Sequence, residues 1–430
     1  MSDNFFDELQ ARGLVYGASE GARDLLADGP VTGYIGFDPT GASLHVGHLL
    51  QILALARLQR AGHRPLALVG GGTGMIGDPS GKTKERQLLT RAQVEENVAS
   101  IREQLARFLD FSGEHAARLV DNHEWLSDLG LLEFLRDVGK HFTVNYMLAK
   151  ESVSRRLEQE EGISVTEFSY MLLQAYDYVV LSDRYGCALQ LGGSDQWGNI
   201  TAGIELIRRM RGRAAHGIVQ PLVTTASGVK FGKTEEGAVW LDPERTSPFR
   251  FFQFWLNTDD RDVEHYLKAF TFLPLGEIGE VMADHAAFPA ARPAQRWLAA
   301  EVTRMVHGEE GLDRAERATG VLFGSRAARD LGAAELLDVF ADVPSTELPR
   351  GRAEGEGISV VDLLADSGVA TSKGEARRLI AGGGVYLNGE RLESAELRVR
   401  TEDAIEGTVL LLRKGKKQNH LVRLVEAPSP

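Results

Sequence analysis

The sequence predicts an α/β protein: a parallel sheet flanked by helices over residues 1–246, then an α-helical region, then a small α+β module. Three observations lead there. Apolar strand-like runs alternate with helical patterns through the first 245 residues. Strand signals fade from Ser247-Pro248 onward. Residues 341–357, dominated by Pro, Gly, Glu, Ala and Arg, have the composition of a linker, and a compact segment follows from Ile358. The expected parts are therefore 1–246, a helical 247–340, the linker 341–357 and the module 358–430.

Residues 31–37, 65–69 and 187–191 read as buried strands that end in Gly or polar turns. Between them, one helix carries Val46, Leu49, Leu50 and Leu53 on one face and stops at Gly62. Another carries Val94, Val98, Ile101, Leu105 and Phe108. Such alternation implies a parallel sheet, which binds ligands at the carboxyl ends of its strands. Residues 249–331 are helix-rich, punctuated by Pro274, Pro289 and Pro293. In the last module, residues 369–389 read as a short helix, a Gly turn and strands, with Asn388-Gly389 as a hairpin signal.

Apolar content of 43% and charged content of 25% suit a globular chain with sizeable cores. No apolar run approaches the roughly 20 residues of a membrane span, and the opening residues lack the pattern of a signal peptide. A single cysteine, Cys187, excludes a disulfide framework and a thiolate zinc cluster. A cytoplasmic protein is expected. The net charge of −13 argues against unselective nucleic-acid binding, yet from Lys373 onward eleven Lys/Arg face eight Asp/Glu, which fits a module that meets RNA.

Two glycine motifs are misleading. Gly72-Thr73-Gly74-Met75-Ile76-Gly77 spells a dinucleotide fingerprint, but Asp78-Pro79-Ser80-Gly81 follows where that motif needs a helix. The run from Gly77 to Lys82-Thr83 is one residue short of a Walker loop. These glycines are expected instead to bring the backbone close to some other ligand.

The tetrad His45-Val46-Gly47-His48 follows a strand and a turn and opens a helix. A helix amino end exposes unpaired N–H groups and partial positive charge, which favour phosphate. His45 and His48, three apart, share a face and can donate to phosphate oxygens, while Gly47 leaves room for a flat base. Much later, Lys230-Phe231-Gly232-Lys233-Thr234 places two ammonium groups and a hydroxyl on a loop able to neutralise a leaving pyrophosphate. In the helical stretch 165–180, Tyr170, Gln174 and Asp177 recur at i, i+4 and i+7 among Phe168, Met171, Leu172, Leu173 and Val179. Apolar neighbours nearly all round imply burial, and buried polar groups need partners; a ligand can supply them.

The tetrad and the Lys230–Thr234 loop together resemble the two signatures of class I aminoacyl-tRNA synthetases. The second departs from the common Met-Ser-Lys-Ser form, and its Phe-Gly-Lys-Thr form is similar to that of bacterial tyrosyl-tRNA synthetases. Residues 34–40 and 192–201 resemble the same family, so the likeness spans nearly the whole chain. It implies a Rossmann-like catalytic domain, a helical anticodon-binding domain and a terminal alpha-L-type RNA-binding domain. It also implies roles by position. Tyr34 and Asp177 would bond the substrate phenol; Asp78, Tyr170 and Gln174 its ammonium; Gln196 would lie near its carbonyl. Asp195 would hold the ribose, and Asp38, Thr40, His45, Gly47 and His48 would line the ATP site. Lys82, Arg86, Lys230, Lys233 and Thr234 would meet the pyrophosphate. Lys373, Arg377 and Arg378, with Arg413, Lys414, Lys416 and Lys417 beyond them, would face RNA. Gln51 receives no role.

The implied enzyme is a tyrosine–tRNA ligase and a homodimer. It activates tyrosine with ATP, carrying Mg2+ on the nucleotide and using no dedicated metal site, then transfers tyrosine to the 3' end of tRNA(Tyr). Because a carboxylate is already a nucleophile, catalysis should come from positioning and charge stabilisation, with no Ser-His-Asp set. Three rivals stand beside this reading. A tryptophanyl enzyme lacks the Tyr34/Asp177 pair. A small nucleotidylyltransferase needs neither the Lys230–Thr234 loop nor an RNA module. A catalytically silent RNA-binding relative has no use for intact His45, His48, Lys230 and Lys233.

Overall fold

The computed structural model describes residues 4–80, 89–158, 162–226, 231–234, 237–323, 326–415 and 418–426, with Lys233 and Thr234 as backbone only. Its residues group into two compact units: Met1–Thr246 with Phe254–Val306, and Ser247–Gln253 with His307–Pro430.

In the first unit the described residues form a six-stranded sheet. Its strands are β1 (Gly17–Ala18), β2 (Thr32–Phe37), β3 (Arg64–Val69), β4 (Arg118–Asp121), β5 (Cys187–Gly193) and β6 (His216–Gln220). The order is β1-β6-β5-β2-β3-β4, all parallel except the β1–β6 pair. β2, β3 and β5 match the expected strands. β1, β4 and β6 are additional: two residues, four residues and an apolar run behind a histidine are too short to stand out by periodicity. The chain builds outward from β2 on one side and from β5 on the other, so the strand order reverses between them. A crevice opens at the carboxyl end of such a reversal.

The helix that opens with the tetrad, Val46–Arg60, is buried nearly all round. On the other face of the sheet, Val165–Tyr185 packs with Trp197–Arg211 over Tyr34, Leu66 and Leu68. At the far end of the tetrad helix, the buried Arg57 donates to the carbonyls of Ala269 and Thr271, both at 2.8 Å. Arg12 donates to those of Lys268 and Leu273. Two guanidinium groups thus cap the carboxyl end of helix Val263–Phe270, where carbonyls otherwise lack donors. Burial, then the charge of Arg12, pull Arg57 down to about 9, so it still holds its charge at neutral pH.

The second unit contains a five-stranded sheet in the order Glu390–Arg391, Val385–Leu387, Val409–Lys414, Gln418–Val425, Ser345–Pro349. Alternation along one strand splits its faces. Leu410 and Leu412 pack with helices Val360–Asp366 and Lys373–Ala381, while Val409 and Leu411 pack with Ala318, Leu336 and Phe340. Strand Ser345–Pro349 lies inside the stretch that composition marks as linker. It pairs in parallel with Gln418–Val425 and buries Leu348, a tertiary pairing that a Pro- and Glu-rich composition hides. Among the described residues no helix is long and apolar enough to cross a membrane.

Candidate active site

The carboxyl ends of four adjacent strands supply the polar groups of one site. Asp38 follows β2, Asp78 follows the turn beyond β3, Asn122 follows β4, and Asp195 and Gln196 follow β5. Helix Val165–Tyr185 contributes Tyr170, Gln174 and Asp177 from the side, as its i, i+4, i+7 spacing implies. Tyr170 donates to Asp38 Oδ2 at 2.7 Å, and Thr73 donates to Oδ1 at 2.8 Å. Gln196 donates to Asp78 Oδ2 at 2.7 Å, and Gln174 donates to Gln196 Oε1 at 3.3 Å. Thr40 and Asp195 are exposed at the rim.

Tyr34 and Asp177 form the floor. Asp177, 1% exposed, accepts from Trp125 Nε1 at 2.7 Å and from Asn122 Nδ2 at 2.9 Å. Burial pushes its carboxyl up to about 8 against the pull of those two donors. Tyr34 is fully buried and edge-on to Tyr178, and its hydroxyl has no hydrogen-bond partner among the described residues. A buried hydroxyl without a partner is unfavourable by about 1–3 kcal/mol, so such a group in a native fold calls for an explanation. Its cross-strand neighbour Gln190 is buried too, with Oε1 unpartnered among the described residues.

The tetrad starts its helix by an exchange between its own histidines. His45, extended at φ −126°, accepts the Gly47 N–H on Nδ1 at 3.0 Å. His48 Nδ1 in turn accepts the His45 N–H at 3.2 Å. Each neutral ring therefore carries its proton on Nε2, which makes both rings donors. The rings lie 4.0 Å apart. A Cβ at residue 47 would stand 2.7 Å from His45 Cε1, so glycine is required there to seat the first imidazole.

The late signature closes on the early one through the backbone. Val46 N donates to Val239 O, Leu241 N to Leu44 O, and Val239 N to Gly232 O. Gly232, at φ +76°, brings its Cα so near the tetrad that a Cβ would stand 2.8 Å from Val46 Cγ2. Strands Lys233–Thr234 and Gly237–Ala238 pair antiparallel just beyond. Lys82, Arg86, Lys230, Lys416 and Lys417 lie outside the described residues, as do the side chains of Lys233 and Thr234.

In the second unit, Lys373, Arg377 and Arg378 are exposed on helix Lys373–Ala381, whose other side buries Ala376 and Ile380. Lys373 pairs with Asp362 at 2.9 Å. Lys414, expected on the same basic surface, is half-buried: it donates to Val369 O and pairs with Glu375 at 2.9 Å. Arg413 lies 4.1 Å over the Tyr386 ring.

Several site residues escape a sequence reading. Asn122 and Trp125, which hold Asp177, follow a four-residue strand, and only their place at a carboxyl end could have marked them. Asn199 donates to Gln174, Gln196 and Ser80. Asn97 donates to Pro39 O and steadies the turn before the tetrad. The glycines after β3 also make room for the protein's own side chains: Cβ atoms at Gly70, Gly71, Gly72 and Gly74 would collide with Asp38, Asp121, Leu126 and Pro39.

The model of class I tRNA synthetases of the tryptophan and tyrosine group matches residues 26–324, and the tyrosine–tRNA ligase C-terminal domain matches 335–422. A tyrosine–tRNA ligase of Roseiflexus castenholzii is 60% identical over 97% of this chain and 99% of its own length. One from Anaeromyxobacter dehalogenans is 54% identical over 98% and 99%. The C-terminally truncated mitochondrial tyrosyl-tRNA synthetase of Aspergillus nidulans aligns at a TM-score of 0.67 and 34% identity, covering 74% of this chain and 94% of its own. With both signatures joined at one helix start and matches of this extent, the chain belongs to the bacterial-type tyrosyl-tRNA synthetases of class I.

Proposed function

We propose that this tyrosine–tRNA ligase binds the phenol of its amino acid between Tyr34 and Asp177. The single observation that carries the reading is the buried Tyr34 hydroxyl, unpartnered among the described residues, beside a carboxyl already held by two donors. A substrate phenol would satisfy both groups. Phenylalanine would leave the Tyr34 hydroxyl unpaired and Asp177 with its two protein donors alone; tyrosyl enzymes are themselves the reference case for this discrimination, about 10⁵-fold. Asp78, Tyr170 and Gln174 take the substrate ammonium, and Gln196 lies near its carbonyl.

ATP enters as its magnesium complex, and no protein site is assigned to the ion. The nucleotide lies along Asp38, Thr40, Gly47 and Asp195. The tyrosine carboxylate oxygen bonds to the α-phosphorus as the bond from that phosphorus to the β-phosphate oxygen breaks, and pyrophosphate leaves with the electron pair. His45 and His48 donate to the phosphate oxygens as charge builds. Lys82, Arg86, Lys230, Lys233 and Thr234 act on the departing pyrophosphate. A hydroxyl oxygen of the terminal tRNA ribose then bonds to the tyrosyl carbonyl carbon as the bond from that carbon to the phosphate oxygen breaks. AMP leaves with the electron pair while the hydroxyl proton passes to the departing phosphate. Lys373, Arg377 and Arg378 contact RNA phosphates, in an organisation of catalytic, anticodon-binding and terminal RNA-binding parts.

The same reading makes the protein a cytoplasmic homodimer. An apolar surface supports the dimer: Leu131, Leu132, Leu135 and Val144 are all exposed on the first unit. Amino-acid-dependent exchange of pyrophosphate into ATP tests the whole proposal. Exchange with tyrosine and none with tryptophan, phenylalanine or no amino acid is expected; exchange with tryptophan alone would overturn it.

A further inference from the structure

One side chain of the second signature has no part in the chemistry, that of Phe231. It is buried among four aromatic rings. It stacks on Phe270 with centroids 5.2 Å apart and planes 12° from parallel, meets Tyr266 edge-on at 5.2 Å, and lies 5.7 Å from Phe254 and 5.9 Å from Trp255. Tyr266 and Phe270 sit one turn apart on helix Val263–Phe270. That is the helix whose carboxyl end Arg57 grips from the tetrad helix. Both signatures are therefore fastened to one short helix, the early one through hydrogen bonds and the late one through stacked rings. They meet again directly, where Gly232 lies against Val46 and Gly47.

We propose that Phe231 is a positioning residue for amino-acid activation. Its ring, locked in the socket of Phe254, Trp255, Tyr266 and Phe270, holds Gly232 against the tetrad and so sets where the chain leads on to Lys233. The inference rests on the reading that Lys233 stabilises the leaving pyrophosphate. Catalytic geometry is sensitive: a displacement of about 1 Å can slow a reaction about 100-fold. A side chain that merely fills space would not alter that geometry, whereas one that fixes the loop would.

The test is single-turnover formation of tyrosyl-adenylate by the full chain carrying Phe231→Leu, Lys233→Ala or both. Tyrosine affinity and the urea midpoint are measured on each. Phe231→Leu is expected to slow activation about tenfold or more with tyrosine affinity unchanged. In its background, removing Lys233 should cost at least about threefold less than in the parent, because the ammonium is no longer held in place. Phe270→Leu, which loosens the same stack from the other side, should show the same pattern and keeps the test informative if Phe231→Leu folds poorly. Losses that simply multiply, or a fall in tyrosine affinity matching the fall in rate, would overturn the proposal. A parental rate in Phe231→Leu with a slow Lys233→Ala would overturn the role of Phe231 alone. A parental rate in Lys233→Ala would overturn the reading of Lys233 and with it this route.

Discussion

Replacing Tyr34 with Phe should move stability and binding in opposite directions. In the ligand-free chain the hydroxyl is fully buried and unpartnered among the described residues, and the ring it sits on packs against Tyr178. Phe keeps the ring and removes only the oxygen, so packing loss is small. Eliminating an unsatisfied buried hydroxyl is worth about 1–3 kcal/mol, so the variant should be more stable by at least about 1 kcal/mol. The substrate phenol, however, loses a neutral hydrogen bond worth about 1 kcal/mol, which weakens tyrosine binding about fivefold. Phenylalanine, which never paired with Tyr34, should bind no worse. Urea unfolding of the ligand-free chain gives the first quantity; equilibrium dialysis with both amino acids gives the other two. A destabilised variant, or one with unchanged tyrosine affinity, would refute the assignment.

Three further outcomes follow from the same geometry. Asp177→Ala strands the Trp125 and Asn122 donors in a buried site at about 1–3 kcal/mol each, so the urea midpoint should drop and the preference for tyrosine over phenylalanine in pyrophosphate exchange should collapse. Burial raises Asp177 from 3.8 to about 8. Its contribution to stability is therefore full below the unfolded value and is lost as pH rises through about 8, so the stability of the ligand-free parent relative to Asp177→Asn should fall between those two values. A flat difference would mean that Asp177 is ionised throughout. Gly47→Ala should displace the His45 ring, slowing adenylate formation about tenfold or more, while a helix-propensity gain of about 0.5–1 kcal/mol offsets the lost His45 cap of about 1 kcal/mol and leaves the urea midpoint little changed.

How much of this was legible in the chain differs from residue to residue, and for physical reasons. Periodicity announced Tyr170, Gln174 and Asp177 as one face, because helical spacing depends only on numbers along the chain. It also announced β2, β3 and β5, whose apolar runs are long. The tetrad stood out because two histidines flank a glycine where a strand turns into a helix. Tertiary structure alone decided the rest. Asn122 and Trp125 reach Asp177 from more than 50 positions away, and no local pattern encodes such a pair. That the glycines after β3 make room for Asp38, Asp121 and Pro39 shows only in the packed positions of those side chains. The strand Ser345–Pro349 exists because Gln418–Val425 offers it an edge. The chain by itself thus determined which chemical groups are present and on which faces of their elements they lie, since both follow from residue identity and the two backbone periods. Which groups meet, which hydroxyl is left without a partner among the described residues and what seats Phe231 were decided by packing between elements far apart in sequence, because only contact in three dimensions removes water from a polar group or brings five rings together.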